Sequence, residues 1–298
     1  MPDQVICTTV GDAIAAVLAG NIPVLVSDIE WALTADCEIH CQSGAPWLVI
    51  RSSATPTIVV NGNAKPTIEV RDTAAPTIEV NGAASPRLVL RGTTTSIVTT
   101  GETAVAKIET SETAAPAIST AGVAAPTIGV RGSSTPTIEI TETSSPEINI
   151  YEDAAPSIEV RGSATPTIRV WGRAGATTLA VREHAAPTIE VRGTAKPTID
   201  VWDSANPTIS TWESSEPVII AHATSTPIIY TWGTSAPTVT RQDSSTPTVQ
   251  AHGCAQLKTN GSVAVTPDSS VAITVLSGTP IIKGSVIARD IRLGPPPR

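Results

Sequence analysis

A ten-residue phrase recurs through two thirds of this chain, and nothing else in the sequence restricts the fold so strongly. It reads Pro-Thr-Ile-Glu-Val-Arg-Gly-Ser-Ala-Thr with variations and is legible at Pro66, Pro126, Pro156 and Pro187. Proline stands at every tenth residue from Pro46 to Pro86, from Pro116 to Pro166 and from Pro187 to Pro247. A proline at that interval excludes long helices, because each would remove a backbone hydrogen bond and clash with the preceding turn. A short fixed period instead implies stacked units, since one such unit cannot bury its own apolar face.

Numbered from proline as position one, positions three and five are Ile, Val, Leu or Thr, while two, four and six are mostly polar or bulky. This is the alternation of a strand with one buried side. Positions seven to ten are small or turn-forming, as a corner requires, and proline re-enters the strand where an N–H is not needed. Ile158, Ile189 and Ile219 are therefore expected in the core, in one stack. At position six, every third unit brings Trp171, Trp202 and Trp232 together, and Arg131, Arg161 and Arg192 with His222 and His252. Like residues grouped this way predict a coil of three strands and three decapeptides, about thirty residues in the range of repeat periods that build solenoids. Three parallel sheets would then surround a triangular core.

The expected architecture is an all-β parallel solenoid in three segments. Residues 1–45 form an N-terminal cap, with a short helix over Gly11 to Gly20 set by Ala13, Ile14, Val17 and Leu18. Residues 46–254 are the decapeptide solenoid. Residues 255–298 hold irregular last coils, over Val263 to Val265, Val271 to Val275 and Ile281-Ile282, and a tail at Gly294 to Arg298. The strand–corner unit Pro-Thr-Ile-Glu-Val-Arg-Gly resembles those of short-repeat, single-chain parallel β-helix proteins of bacteria and phages. The resemblance implies a fold and no activity. The unit lacks the Leu-centred pattern of pentapeptide repeats and the six-residue turns of hexapeptide acyltransferases.

With 298 residues, 15% charged, and a net charge of −8, the composition fits neither a polybasic nucleic-acid binder nor a charged disordered tail. The start of the chain is acidic and its apolar run short, so no signal peptide or membrane span is expected. That points to a cytoplasmic protein or one assembled into a particle.

Trp171, Trp202 and Trp232, with Tyr230 on the strand leading to the last of them and Trp212 on the next face, form the candidate binding strip for a protein or glycan partner. Such a strip also has a purely structural reading as stacked bracing. Arg131, Arg161 and Arg192 are a weaker anion-binding candidate, because Glu159 and Glu190 lie two residues away and would pair with the latter two. Glu79, Glu109 and Glu139 read as an acidic run on one face.

Cys37 and Cys41 read as buried small hydrophobes flanking Ile39, with His40 outward, so no metal site and no cofactor is expected. Asp200 and Asp203 with Arg169 and Arg192 come nearest to a catalytic set, but corners of uniform length offer no long loops to wall a cleft. The function expected is a non-enzymatic rigid structural or binding rod, of a bacterial or phage structural, adhesive or tail-associated kind. Its alternatives are a carbohydrate-active β-helix lyase or hydrolase and a target-mimicking inhibitor with an acidic face.

Overall fold

A computed structural model of the chain describes residues 2–174, 177–268, 271–279, 281–282 and 291–293. The expected tail at Gly294 to Arg298 lies outside the described residues. The chain is an all-β parallel solenoid with one short helix among the described residues, divided into two compact units, Met1–Glu147 and Ile148–Arg298. The division runs through the strand Glu147–Ile150.

Unit one opens with β1 (Gln4–Cys7), α1 (Val10–Leu18), β2 (Ile22–Leu25), β3 (Glu30–Leu33) and β4 (Glu38–Cys41). Thr9 caps the helix by accepting from the Asp12 N–H, while the Asp12 carboxylate accepts from the Thr9 N–H, a capping box. The helix links the adjacent parallel strands β1 and β2 and buries Ala13 and Ala16. Ile14 and Leu18, expected on its apolar face, are exposed. The reason is close approach: the helix lies on its sheet through alanines, and larger side chains would hold it away.

From Trp47–Ile50 onward, every strand up to Thr248–Ala251 is positions two to five of one decapeptide. Alternate strands pair, so each unit has two parallel sheets rather than three. In unit one, sheet A is β1, β2 and β4 followed by Thr57–Val60, Thr77–Val80, Ile97–Thr100, Ala117–Thr120 and Thr137–Ile140. Sheet B is β3 followed by Trp47–Ile50, Thr67–Val70, Arg87–Leu90, Lys107–Thr110 and Thr127–Val130. In unit two, sheet C starts at Ser157–Val160 and continues through Thr178–Val181, Thr198–Val201, Val218–Ala221 and Thr238–Arg241; sheet D takes the intervening strands from Thr167–Val170 to Thr248–Ala251.

Partners stand two decapeptides apart, as in Thr57↔Thr77 and Thr208↔Ile228. The expected coil of three strands and three decapeptides is therefore corrected to two strands and two decapeptides. Ile158, Ile189 and Ile219 are all buried, but not in one stack: Ile189 pairs with Ile168 and Ile209 in sheet D, while Ile158 and Ile219 lie in sheet C. The step lengthens by one residue between Ser157 and Thr178, where Thr177 is buried in place of a proline; two residues of that corner, 175 and 176, lie outside the described set. After Thr248–Ala251 the coils shorten, and Gln256 already pairs with Ala272.

The corner explains the phrase. Position six starts a turn closed by the position-nine N–H, as in Ala124 donating to the Ala121 carbonyl at 3.3 Å. Position seven lies between, in the left-handed region, and is Gly or, at sites such as Asp72, Glu102 and Glu213, an acid, with Ser52 and Ala223 as exceptions. The side chain at position nine turns inward with positions one, three and five, so Ala124, Pro126, Ile128 and Val130 are all buried. Two sheets back to back need small residues at the ends of a thin core, and alanine and serine supply them. Where position five is threonine, serine often stands at position nine of the next coil: Thr110 and Ser134 meet at 3.3 Å, Thr211 and Ser235 at 3.1 Å.

Corner hydrogen bonds run from each coil to the one before it. Position eight donates to the carbonyl of seven, ten to that of nine, and two to that of the proline, as in Thr73→Ser52, Ala75→Ala54 and Thr77→Pro56. Proline itself has no N–H to place. The position-seven N–H is met from the following coil where that coil carries an acid: Gly193 donates to Glu213 Oε2 at 2.8 Å and Ser52 to Asp72 Oδ2 at 3.0 Å. The left-handed conformation costs a non-glycine residue on the order of 1–2 kcal/mol, and a hydrogen bond to a charged group offsets this by about 1.5–3 kcal/mol. Glycine is needed where the backbone crowds: a Cβ at Gly92 would stand 2.8 Å from the Asp72 carbonyl oxygen.

Candidate functional site: the corner columns

With two decapeptides to a coil, position six falls into columns different from those expected. Trp171, Trp202 and Trp232 do not form one strip. In unit two the column following sheet D is Tyr151, Trp171, Arg192, Trp212, Trp232, His252, and the column following sheet C is Arg161, Arg182, Trp202, His222, Gln242. Coils about 4.7–4.9 Å apart hold flat groups at stacking distance.

Along the first column, the Arg192 guanidinium lies 4.9 Å from the Trp171 ring and 5.2 Å from that of Trp212. Trp212 stacks on Trp232 at 5.2 Å, and Trp232 on His252 at 4.1 Å. Tyr230, on the outward side of the strand that leads to Trp232, is half-buried. In the second column Trp202 has the Arg182 guanidinium 5.4 Å away and the His222 ring stacked on it at 3.6 Å, nearly parallel. Trp202, Trp212 and Trp232 are each covered on both faces, by ring–ring and cation–π contacts. What faces outward is ring edge. The Nε1 atoms of Trp171 and Trp212 are buried and have no hydrogen-bond partner among the described residues.

The three arginines expected together are also divided. Arg131 follows sheet B of unit one, Arg161 follows sheet C and Arg192 follows sheet D. Arg161 lies 2.7 Å from Glu159, which also takes Arg182 at 2.9 Å; Arg192 lies 3.3 Å from Glu190. The hydrogen bond from Arg161 is the largest influence on the Glu159 carboxyl and holds it below the usual carboxylate range.

The column that follows sheet B in unit one is Arg51, Arg71, Arg91, Ser111, Arg131. Arg71 is tied to Glu69 at 2.8 Å. The expected acidic run is split between sheets: Glu79 and Glu139 are on sheet A, while Glu109 is on sheet B, bound by Arg87 at 2.8 Å and Lys107 at 3.0 Å.

The nearest approach to a catalytic set also separates. Asp200 is on sheet C, 3.7 Å from His222, whereas Arg169 is on sheet D and Arg192 follows it. Asp203 is a corner acid whose Oδ2 accepts from the Glu183 N–H at 3.0 Å. Ile39 and Cys41 are buried, and burial pushes the Cys41 thiol up to about 12, which leaves it inert. Cys37 is half-buried, and His40 bonds Glu38 at 2.7 Å. Among the described residues no three or more His, Cys, Asp or Glu gather as a metal site, and no helix is long and apolar enough to cross a membrane.

No family model, curated protein or solved structure matches this chain. Sequence reading missed Arg182, His222 and His252 as partners of the indoles. The signal was present at a stride of two decapeptides, where cation, imidazole and indole alternate without matching in type.

Proposed function

We propose that this chain is a non-enzymatic rigid scaffold, a binding rod of the structural, adhesive or tail-associated kind known from bacteria and phages, that engages a protein or glycan partner. One observation carries the reading. Positions one, three, five and nine keep their character from coil to coil, while the outward positions four and six range over acidic, basic, aromatic, polar and aliphatic residues on an unchanged backbone. A surface that varies over a constant frame suits recognition.

A carbohydrate lyase or hydrolase would need carboxylates and cations converging on one cleft. Here the candidates stand on opposite sheets or are bound to backbone N–H groups. An acidic mimic is disfavoured by the split of Glu79 and Glu139 from Glu109. At Trp171, Trp202, Trp212, Trp232 and Tyr230 a partner would meet ring edges and a neighbouring guanidinium.

The test joins turnover to binding. The purified chain should release no oligosaccharide from a panel of neutral and acidic polysaccharides, assayed by reducing ends and unsaturated-uronate absorbance. It should retain a partner on a glycan array or in a pull-down. Product formation that scales with protein would overturn the scaffold reading.

A further inference from the structure

We propose that sheet B of unit one is a docking face for a linear sulfated polysaccharide, centred on Arg51, Arg91 and Arg131; this rests on the scaffold reading and names its partner.

Charge is segregated on this face. In a chain of net charge −8, the outward strand and position-six residues of sheet B include Arg51, Arg71, Arg87, Arg91, Lys107 and Arg131 against Glu69, Glu109 and, on the edge strand β3, Glu30. The two corner acids beside it, Asp72 and Glu112, each have an oxygen bound to a backbone N–H of the preceding coil, those of Ser52 and Gly92. Glu69 is engaged by Arg71, and Glu109 is shared by two cations.

The side chains of Arg51 and Arg91 make no hydrogen bond or ion pair among the described residues, and both are exposed. Arg91 stands between two hollows. One, of about 310 Å³, is lined by Val89, Arg91, Glu109, Thr110, Ser111 and Arg131. It exists because Ser111 is short where the column otherwise carries arginine. The other, of about 260 Å³, lies beside Arg71, Asp72, Gly92 and Glu112. Arg91 and Arg131 are two coil steps apart, roughly 9–10 Å, with a serine hydroxyl between them.

Guanidinium forks match planar or tetrahedral oxyanions with paired hydrogen bonds. Straight rows of them on a flat sheet suit an extended chain bearing sulfate esters at intervals. Single-stranded nucleic acid is favoured by aromatic platforms for its bases, and the only aromatic among the described outward strand positions of this face is Trp47, on the strand next to β3, 45% exposed.

The experiment measures affinity for dextran sulfate by calorimetry and by salt elution, with neutral dextran and oligo-dT as further arms. Far-UV circular dichroism checks each variant. Wild type should bind dextran sulfate in a salt-dependent manner and ignore dextran. Arg51→Gln/Arg91→Gln should weaken binding about tenfold or more with a shallower salt dependence, and Ser111→Glu should weaken it through the hollow itself. Arg173→Gln/Lys196→Gln in unit two removes the same charge and should leave affinity unchanged.

Passage of wild type through dextran sulfate at low salt, or equal loss in both double variants, would overturn the proposal. So would tighter binding of oligo-dT, which would assign the face to nucleic acid. Each of these results leaves the scaffold reading standing, because that reading is decided by polysaccharide turnover.

Discussion

Position six is the same backbone site in both units, yet unit one fills its sheet-B column with Arg51, Arg71, Arg91 and Arg131, and unit two fills its sheet-D column with Trp171, Arg192, Trp212, Trp232 and His252. Cations at coil spacing repel by roughly 1 kcal/mol even in water. Unit one meets this by binding Arg71 to Glu69, leaving Arg51, Arg91 and Arg131 exposed, and placing a serine at 111. Unit two meets it by inserting Arg192 between two indoles, so that cation and ring stabilise each other. The difference teaches that a repeat frame accepts two surface solutions, one that commits its side chains to the column and one that leaves Arg51 and Arg91 without a side-chain partner among the described residues.

If the units share one kind of core and differ only outside, Ile108→Ala and Ile189→Ala should cost the same, about 2–5 kcal/mol each, because both side chains are fully buried in equivalent stacks. Chemical denaturation checks this, and a cost under about 1 kcal/mol at either would break the equivalence.

Trp212→Ala should cost about 1–3 kcal/mol through lost stacking on Trp232 and lost contact with Arg192. Arg192→Ala coupled to it in a double-mutant cycle should be non-additive; strict additivity would mean the column is decoration.

The corner is the shared feature, so Glu213→Ala should lose about 1–2 kcal/mol by leaving the Gly193 N–H unmet on a left-handed residue, and Glu213→Gly should recover part of it. Arg91→Ala, by contrast, should change stability by no more than about 0.5 kcal/mol, since its side chain has no partner among the described residues.

The smallest effect concerns pH. The Glu159 carboxyl is held low by Arg161 first, with Arg182 also contributing. Its contribution is therefore complete above the ordinary Glu value near about 4.3 and fades as pH falls through the lowered one. Wild type and Glu159→Gln should differ slightly at neutral pH and converge once the pH has fallen below the lowered value; a gap that widens on acidification would contradict the pairing.

Much of the fold was legible without coordinates. Strand, corner, inward Ile and the parallel stack follow from alternation and from proline at every tenth residue. The coil period was misread for a definable reason. Like residues were sought above like residues, and a stride of three decapeptides places three indoles in line. Stacking does not require likeness: an arginine or a histidine covers an indole as well as another indole does, so the true columns look mixed in sequence. The acid at position seven had a second signal, because Gly193 lies two decapeptides before Glu213 and Ser52 two before Asp72, but its meaning depends on which N–H is beneath it.

What the sequence determined by itself was therefore local: where the chain extends, where it bends, and which side chains point to the core, since steric limits and hydrophobic alternation act within one decapeptide. How many decapeptides close a coil was decided only by tertiary structure. That number depends on the angle through which each corner turns the chain, and the angle is set jointly by the left-handed residue at position seven, the inward small residue at position nine and the backbone ladder to the next coil. Which charges pair, which rings stack and which arginines stay available all follow from that one closure.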